Sequence, residues 1–231
     1  MSPNHLIIGS GGPTGECLRK HLHSKGATVY NTTHRPPPSH LTPGHVQWIN
    51  LDLFSPEEGL KALGRAFSGK KKFGSMTIFS HPTLTRETDP LSARDTLAFL
   101  PALTGIKKLL DHCLPSLEGG VILAVLPCMT LLKASGYLKA RVYFGGMRGL
   151  LEEYSRSIPA ETTCFLTLDL AHIPDGSTPQ IPPVVMERME RQTIGGFPDA
   201  DSLSRTIMDL TAFQRPWMQG TTLRFPDSAF F

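Results

Sequence analysis

The sequence predicts an α/β domain built on a doubly wound parallel sheet, and three observations carry that expectation. Segments with strand and helix patterning alternate along the 231 residues, the order that puts helices on both faces of a parallel sheet through right-handed crossovers. The opening follows a β–glycine loop–α–β plan within about 30 residues. Residues 121–126, Val-Ile-Leu-Ala-Val-Leu, are apolar without interruption, as a central strand covered on both faces must be. A single domain over 1–231 accounts for the length and can bury a substantial core.

Taken in order, His5-Leu6-Ile7-Ile8 predicts the first strand, closed by Gly9-Ser10-Gly11-Gly12-Pro13-Thr14-Gly15. Cys17, Leu18, His21 and Leu22 mark one face of a helix ending near Gly26, and Ala27-Thr28-Val29-Tyr30 a second strand. Residues 46–52 alternate as a third strand, and Ser55-Pro56-Glu57-Glu58 starts a helix with proline in its first turn. Residues 76–79 predict a fourth strand, followed by a helical region over 92–117 with an interruption at Pro101. After the fifth strand at 121–126 come a helix over 142–157 and a strand over 164–170. Residues 174–198 open on a stretch rich in Pro, Gly, Ser and Thr, and are expected to form a loop or lid on the substrate side. A helix over 199–213 and a strand over 221–225 complete the pattern.

Composition narrows the function classes. Hydrophobic residues at 40% and charged residues at 19% describe a soluble globular chain. The net charge of +3 is too small to suggest nucleic acid, and Lys70-Lys71-Lys72 reads as a solvated turn. No stretch approaches the roughly 18 apolar residues of a membrane span, and no leader pattern opens the chain. Cys17, Cys113, Cys128 and Cys164 lack metal-ligand spacing and read as buried thiols, so no metal is expected and the cytoplasm is the expected location.

Ligands of doubly wound sheets lie beyond the carboxyl ends of the strands, so candidate residues should follow strands. The glycine loop meets a helix start, where free N–H groups and the helix dipole favour an anion. Gly9, Gly11, Gly12, Thr14 and Gly15 are therefore the residues expected to hold the phosphates of a dinucleotide. Pro13 removes one N–H from that cradle, although it suits a first helical turn. Arg35 either pairs with the 2′-phosphate of NADP(H) or is a solvated loop arginine. Asp52 either accepts a hydrogen bond from adenine or caps the following turn. His81, after the fourth strand, is an acid–base candidate or a packed histidine. Asp169 sits in an apolar strand, which is costly unless it is paired, and is either a tuned acid or a structural aspartate.

Over essentially its whole length the chain resembles the short-chain dehydrogenase/reductase family. The glycine segment is similar to that family's TGxxxGxG, with Pro13 at the middle glycine. Asp52-Leu53 resembles its acidic turn, and Gly119-Gly120-Val121-Ile122-Leu123 the start of its fifth strand. Tyr143-Phe144-Gly145-Gly146-Met147-Arg148-Gly149-Leu150 resembles the helix that carries YxxxK. Gly195-Gly196-Phe197-Pro198 and Gly220-Thr221-Thr222-Leu223 are similar to its closing helix and strand. The resemblance implies a Rossmann-type fold, NADP(H), a small-molecule substrate and a homo-oligomer, dimer or tetramer, assembled through the helices after the fourth and fifth strands. The Gly145-Gly146 pair suits close helix approach there.

The resemblance also implies a proton relay of asparagine, serine, tyrosine and lysine, in which the lysine draws the tyrosine's pKa down from about 10. This sequence departs from it. Ala102 stands for the asparagine and Leu126-Pro127 for the serine. One register keeps Tyr143 but puts Met147 at the lysine; the other puts Phe144 at the tyrosine and Arg148 at the lysine. Tyr143 and Arg148 thus join His81 and Asp169 as catalytic candidates. Phe79-Ser80-His81-Pro82 replaces the family's Asn-Asn-Ala-Gly.

Three functions follow from a retained scaffold without that relay. One is a non-redox cyclase, isomerase or pericyclase acting on a secondary metabolite. Similar proteins of fungal alkaloid pathways include such cyclases, and some share a Tyr-x-Gly-Gly helix like Tyr143 to Gly146. Their Arg/Asp pair has no counterpart by position, since Leu103 stands at the arginine. The second is an NADPH-dependent imine or iminium reductase, whose electrophile needs no proton at oxygen. The third is a binding or scaffold protein.

Overall fold

The computed structural model describes residues 4–9, 11–34, 46–67, 72–79, 99–127, 138–170, 199–212 and 216–225. The expected lid over 174–198 lies outside them, as do Arg35, His81 and Cys128. The strands are β1 (Asn4–Ile8), β2 (Val29–Thr33), β3 (Val46–Asn50), β4 (Phe73–Ile78), β5 (Gly120–Pro127), β6 (Thr163–Leu170) and β7 (Thr222–Phe225). They form one sheet in the order β3-β2-β1-β4-β5-β6-β7, with every pairing parallel. The chain winds outward from β1 to β3 and then returns to the other side of β1, so the topological switch point falls between β1 and β4.

Alternation along the strands splits the core in two. Leu6, Ile8, Ile122, Ala124, Leu126 and Phe165 face one layer. That layer holds the helices α2 (Glu57–Phe67), α3 (Leu100–Cys113) and α4 (Leu138–Ser157). Ile7, Val121, Leu123, Val125, Leu166 and Leu168 face the other, covered by α1 (Pro13–Ser24) and α5 (Ala200–Ala212). Short 3-10 turns follow at Leu114–Ser116 and Pro216–Met218.

The doubly wound parallel sheet is as expected, and the differences lie at element ends. Pro101 occupies the first turn of α3, where a missing N–H is harmless because no intrahelical acceptor exists, and residues 92–98 of the expected helical region lie outside the described residues. The helix expected from residue 142 begins at Leu138. The third strand stops at Asn50, since the Phe54 N–H donates to Asp52 Oδ1 at 2.9 Å and closes a turn. The fourth strand begins earlier, at Phe73, whose ring packs 5.2 Å from Tyr30 and 4.4 Å from Phe67. Cys113 and Cys164 are buried thiols as expected, whereas Cys17 is only half-buried.

Two glycines allow close approach. A Cβ on Gly105 of α3 would stand 1.9 Å from the Leu53 carbonyl oxygen, so the helix lies directly on the backbone after β3. A Cβ on Gly146 of α4 would stand 2.6 Å from Leu103 Cδ1. Gly146 therefore serves packing between α3 and α4 within the chain, while Gly145 faces open space. At the switch point, His5 and Ser75 pair across β1 and β4 with Nδ1 2.6 Å from Oγ, both buried.

Candidate functional site

The glycine loop leaves β1 and enters α1 as the sequence predicts. Gly9 has φ +75°, a conformation in which glycine is at ease. Its N–H donates to Thr32 Oγ1 of β2 at 3.3 Å. Gly12 is extended, with φ −99° and ψ 177°, and no side chain caps the helix start, so the Thr14 and Gly15 N–H groups remain free for an anion. Pro13 fills the first helical position. A Cβ on the exposed Gly11 would meet nothing within 4 Å, which leaves the loop open to close approach. Thr14 is buried, and its hydroxyl has no hydrogen-bond partner among the described residues. The Ser204 hydroxyl of α5 donates to the Thr14 carbonyl at 2.9 Å, which fixes the turn. An uncapped helix start, an open glycine and an orphaned hydroxyl together suit a phosphate.

Asp52 follows β3, with one carboxylate oxygen committed to the Phe54 N–H. Asp52 is itself exposed. Arg35 and His81 lie outside the described residues.

The structure brings together two candidates that the sequence separates. Asp169 alternates with Phe165 and Thr167 on the sheet face covered by α4. Arg148 reaches that face from α4. Its Nη1 stands 2.6 Å from Asp169 Oδ1, and its Nη2 donates to the Pro127 carbonyl at 3.0 Å. The pair therefore spans the carboxyl ends of β5 and β6. Pro127 tolerates the last position of β5 because β4 pairs only as far as Ala124, and no N–H is required on that side. Burial raises the Asp169 pKa above its ordinary value of 3.8, opposed by the charges of Arg148 and Arg224. Arg224 is its register partner on β7. Asp169 Oδ1 and Arg148 Nε complete no well-directed hydrogen bond, so the contact is ionic rather than a bidentate fork.

Of the two helix registers, Arg148 is the residue that reaches the strand ends. Met147 is fully buried in the core. Tyr143 is buried too, with its ring centroid 5.4 Å from Phe99 and 5.2 Å from Phe144. It lies about 140° around α4 from Arg148, toward α3. Ala102 is buried on α3. Sequence reasoning passed over Arg141, whose Nε is buried without a hydrogen-bond partner. Its seven-residue spacing from Arg148 was the available signal, because residues seven apart share a helix face.

β1 and β6 are three strand spacings apart, about 14 Å. The glycine loop and the Arg148–Asp169 pair thus both lie at the carboxyl edge of the sheet, where folds of this kind bind ligands in a crevice at the switch point. No group of three or more metal-ligating side chains occurs among the described residues. Nor is any described helix long and apolar enough to cross a membrane.

No family model and no curated protein matches the chain. Solved structures do match over nearly all of it. A short-chain dehydrogenase/reductase from Serratia marcescens BCRC 10948 superposes with TM-score 0.81 at 15% identity, covering 97% of this chain and 96% of that one. A short chain dehydrogenase family protein from Francisella tularensis subsp. tularensis SCHU S4 gives 0.78 at 10% identity, covering 97% of each. A blue fluorescent protein from a metagenomic library, in complex with NADPH, gives 0.80 at 13% identity, covering 96% of each. The chain has the short-chain dehydrogenase/reductase fold.

Proposed function

We propose that this chain is an enzyme of that fold which rearranges or cyclises a small organic substrate of secondary metabolism without net redox change. The observation that carries this is the Arg148–Asp169 pair at the carboxyl ends of β5 and β6, in which Arg148 stands at the lysine of the resemblance while Phe144 stands at its tyrosine. Asp169 is a carboxyl group whose pKa burial raises, so it can hold and return a proton closer to neutral pH. Arg148 fixes the carboxylate and opposes negative charge that develops beside it. Holding a flexible substrate in a reactive shape contributes further, up to about 7–11 kcal/mol of a cyclisation barrier in the best cases.

A dinucleotide fits the glycine loop. Gly11, Gly12, Thr14 and Gly15 would hold its phosphates, with Thr14 Oγ1 gaining a partner it otherwise lacks. NADP(H), when bound, supplies a hydride donor. That loop favours a second function, reduction of an imine or iminium, in which no residue needs to protonate an oxygen.

The test incubates the full chain with NADPH and a panel of polyunsaturated and cyclic-iminium substrates, following nicotinamide absorbance and product mass together. Product of unchanged mass with steady absorbance supports rearrangement. Product heavier by one hydrogen molecule, with falling absorbance, establishes the reductase instead. Neither product nor nucleotide binding in a folded protein leaves a scaffold role.

A further inference from the structure

The flank of α4 that carries Arg148 also carries Arg141. Seven residues make nearly two turns, so the two arginines lie within about 20° of each other around the helix and about 10.5 Å apart along it. Gly146, packed against Leu103 of α3, lies about 150° away, which puts the arginine flank on the side turned from α3. Between the arginines, one turn from each, sits Gly145. A Cβ there would meet nothing within 4 Å, so the helix surface between the two arginine positions is open.

The charges on this flank do not balance. Asp169 is the acidic partner given to Arg148, and Arg141 has no ion pair among the described residues. Arg141 nevertheless keeps its Nε out of water without a hydrogen-bond acceptor. A buried, unmatched donor beside an open, positively charged surface calls for an oxyanion.

We infer that Arg141, with Arg148, anchors an oxyanion of the substrate over Gly145, so that the enzyme takes small organic acids. This rests on the assignment of Arg148 and Asp169 as the reacting end of the crevice. It adds a specificity-determining residue about two helical turns from that end, which orients the substrate by its acid group while Asp169 meets the part that reacts. A planar guanidinium suits both carboxylate and phosphate.

The experiment titrates the full chain with benzoate, phenyl phosphate and the neutral benzamide at constant ionic strength, reading the arginine Nε–Hε resonances by NMR. Benzoate or phenyl phosphate should shift the Arg141 signal saturably, and the tighter of the two identifies the oxyanion. Benzamide should bind at least tenfold more weakly. Arg141→Gln and Gly145→Leu should each weaken the acid at least tenfold, with Arg141→Lys intermediate and all three variants folded by circular dichroism. An affinity unchanged within twofold in Arg141→Gln overturns the inference. If Arg148→Gln then abolishes binding, the reacting site stands and only the anchor falls. If neither substitution matters, both fall. A fall in sedimentation mass in Arg141→Gln, with acid binding unaltered, assigns Arg141 to a subunit contact and also overturns the anchor.

Discussion

Arg148 and Asp169 meet at 2.6 Å across the boundary between α4 and β6, and the Pro127 carbonyl holds the same guanidinium at 3.0 Å. A side chain from the helix thus ties together the ends of two neighbouring strands. Both groups are largely removed from water, with side chains 18% and 9% exposed, so the pair is held by its own geometry rather than screened by solvent.

Breaking such a pair leaves one charge uncompensated. Arg148→Met or Asp169→Leu alone is expected to lower stability by about 3–5 kcal/mol, while the double substitution recovers most of that loss. Urea unfolding of the three variants checks it, and additive losses would contradict it. Asp169→Asn preserves the shape but not the proton, and should slow turnover by about 100- to 10,000-fold.

Gly11 and Gly105 separate binding from folding. Gly11→Ala has room for its methyl group and should leave the melting temperature nearly unchanged, yet weaken NADPH at least tenfold by obstructing close approach to the loop. Thr14→Val should behave likewise, since its hydroxyl has no hydrogen-bond partner among the described residues. Gly105→Ala must displace backbone at Leu53 and should fail to give soluble folded protein. Calorimetry and melting curves on the three variants decide the matter.

His5 makes the fold sensitive to acid. Burial beside Ser75 lowers its pKa from 6.5 to about 4. As pH falls, the unfolded chain takes up this proton first, so the folded state loses about 3 kcal/mol between pH 6.5 and 4. His5→Gln should flatten that part of the stability–pH curve. An unchanged slope would show that other groups dominate it.

Restoring the family's pair should not restore its chemistry. Phe144 is fully buried, and the resemblance puts Ala102 at the asparagine and Leu126-Pro127 at the serine. Phe144→Tyr combined with Arg148→Lys is therefore expected to show no general ketone reduction with NADPH. Robust reduction by that double variant would mean that the relay needs fewer parts.

The order of strands and the glycine loop were legible because both are local: alternation, apolar runs and a strand–loop–helix spacing all lie within short windows. Pro101 was legible only as a helix breaker, because a proline opening a helix and one interrupting it differ only in what precedes them, and residues 80–98 lie outside the described residues. The burial of Tyr143 could not be read, since a tyrosine on an amphipathic helix faces either the crevice or α3, and only the packing of Phe99 decides it. Asp169 was recognisable as a carboxylate that needed a partner. That the partner is Arg148 depends on how α4 docks on β6, a tertiary relationship that the spacing of the two residues does not encode.

The proton-handling role of Asp169 is tested most directly by its carboxyl carbon titration, followed by 13C NMR in the wild-type chain and in Arg148→Gln. The expected midpoint lies above the ordinary 3.8, and rises further once the opposing guanidinium is removed. A midpoint at or below 3.8, or one that Arg148→Gln leaves unmoved, contradicts the assignment.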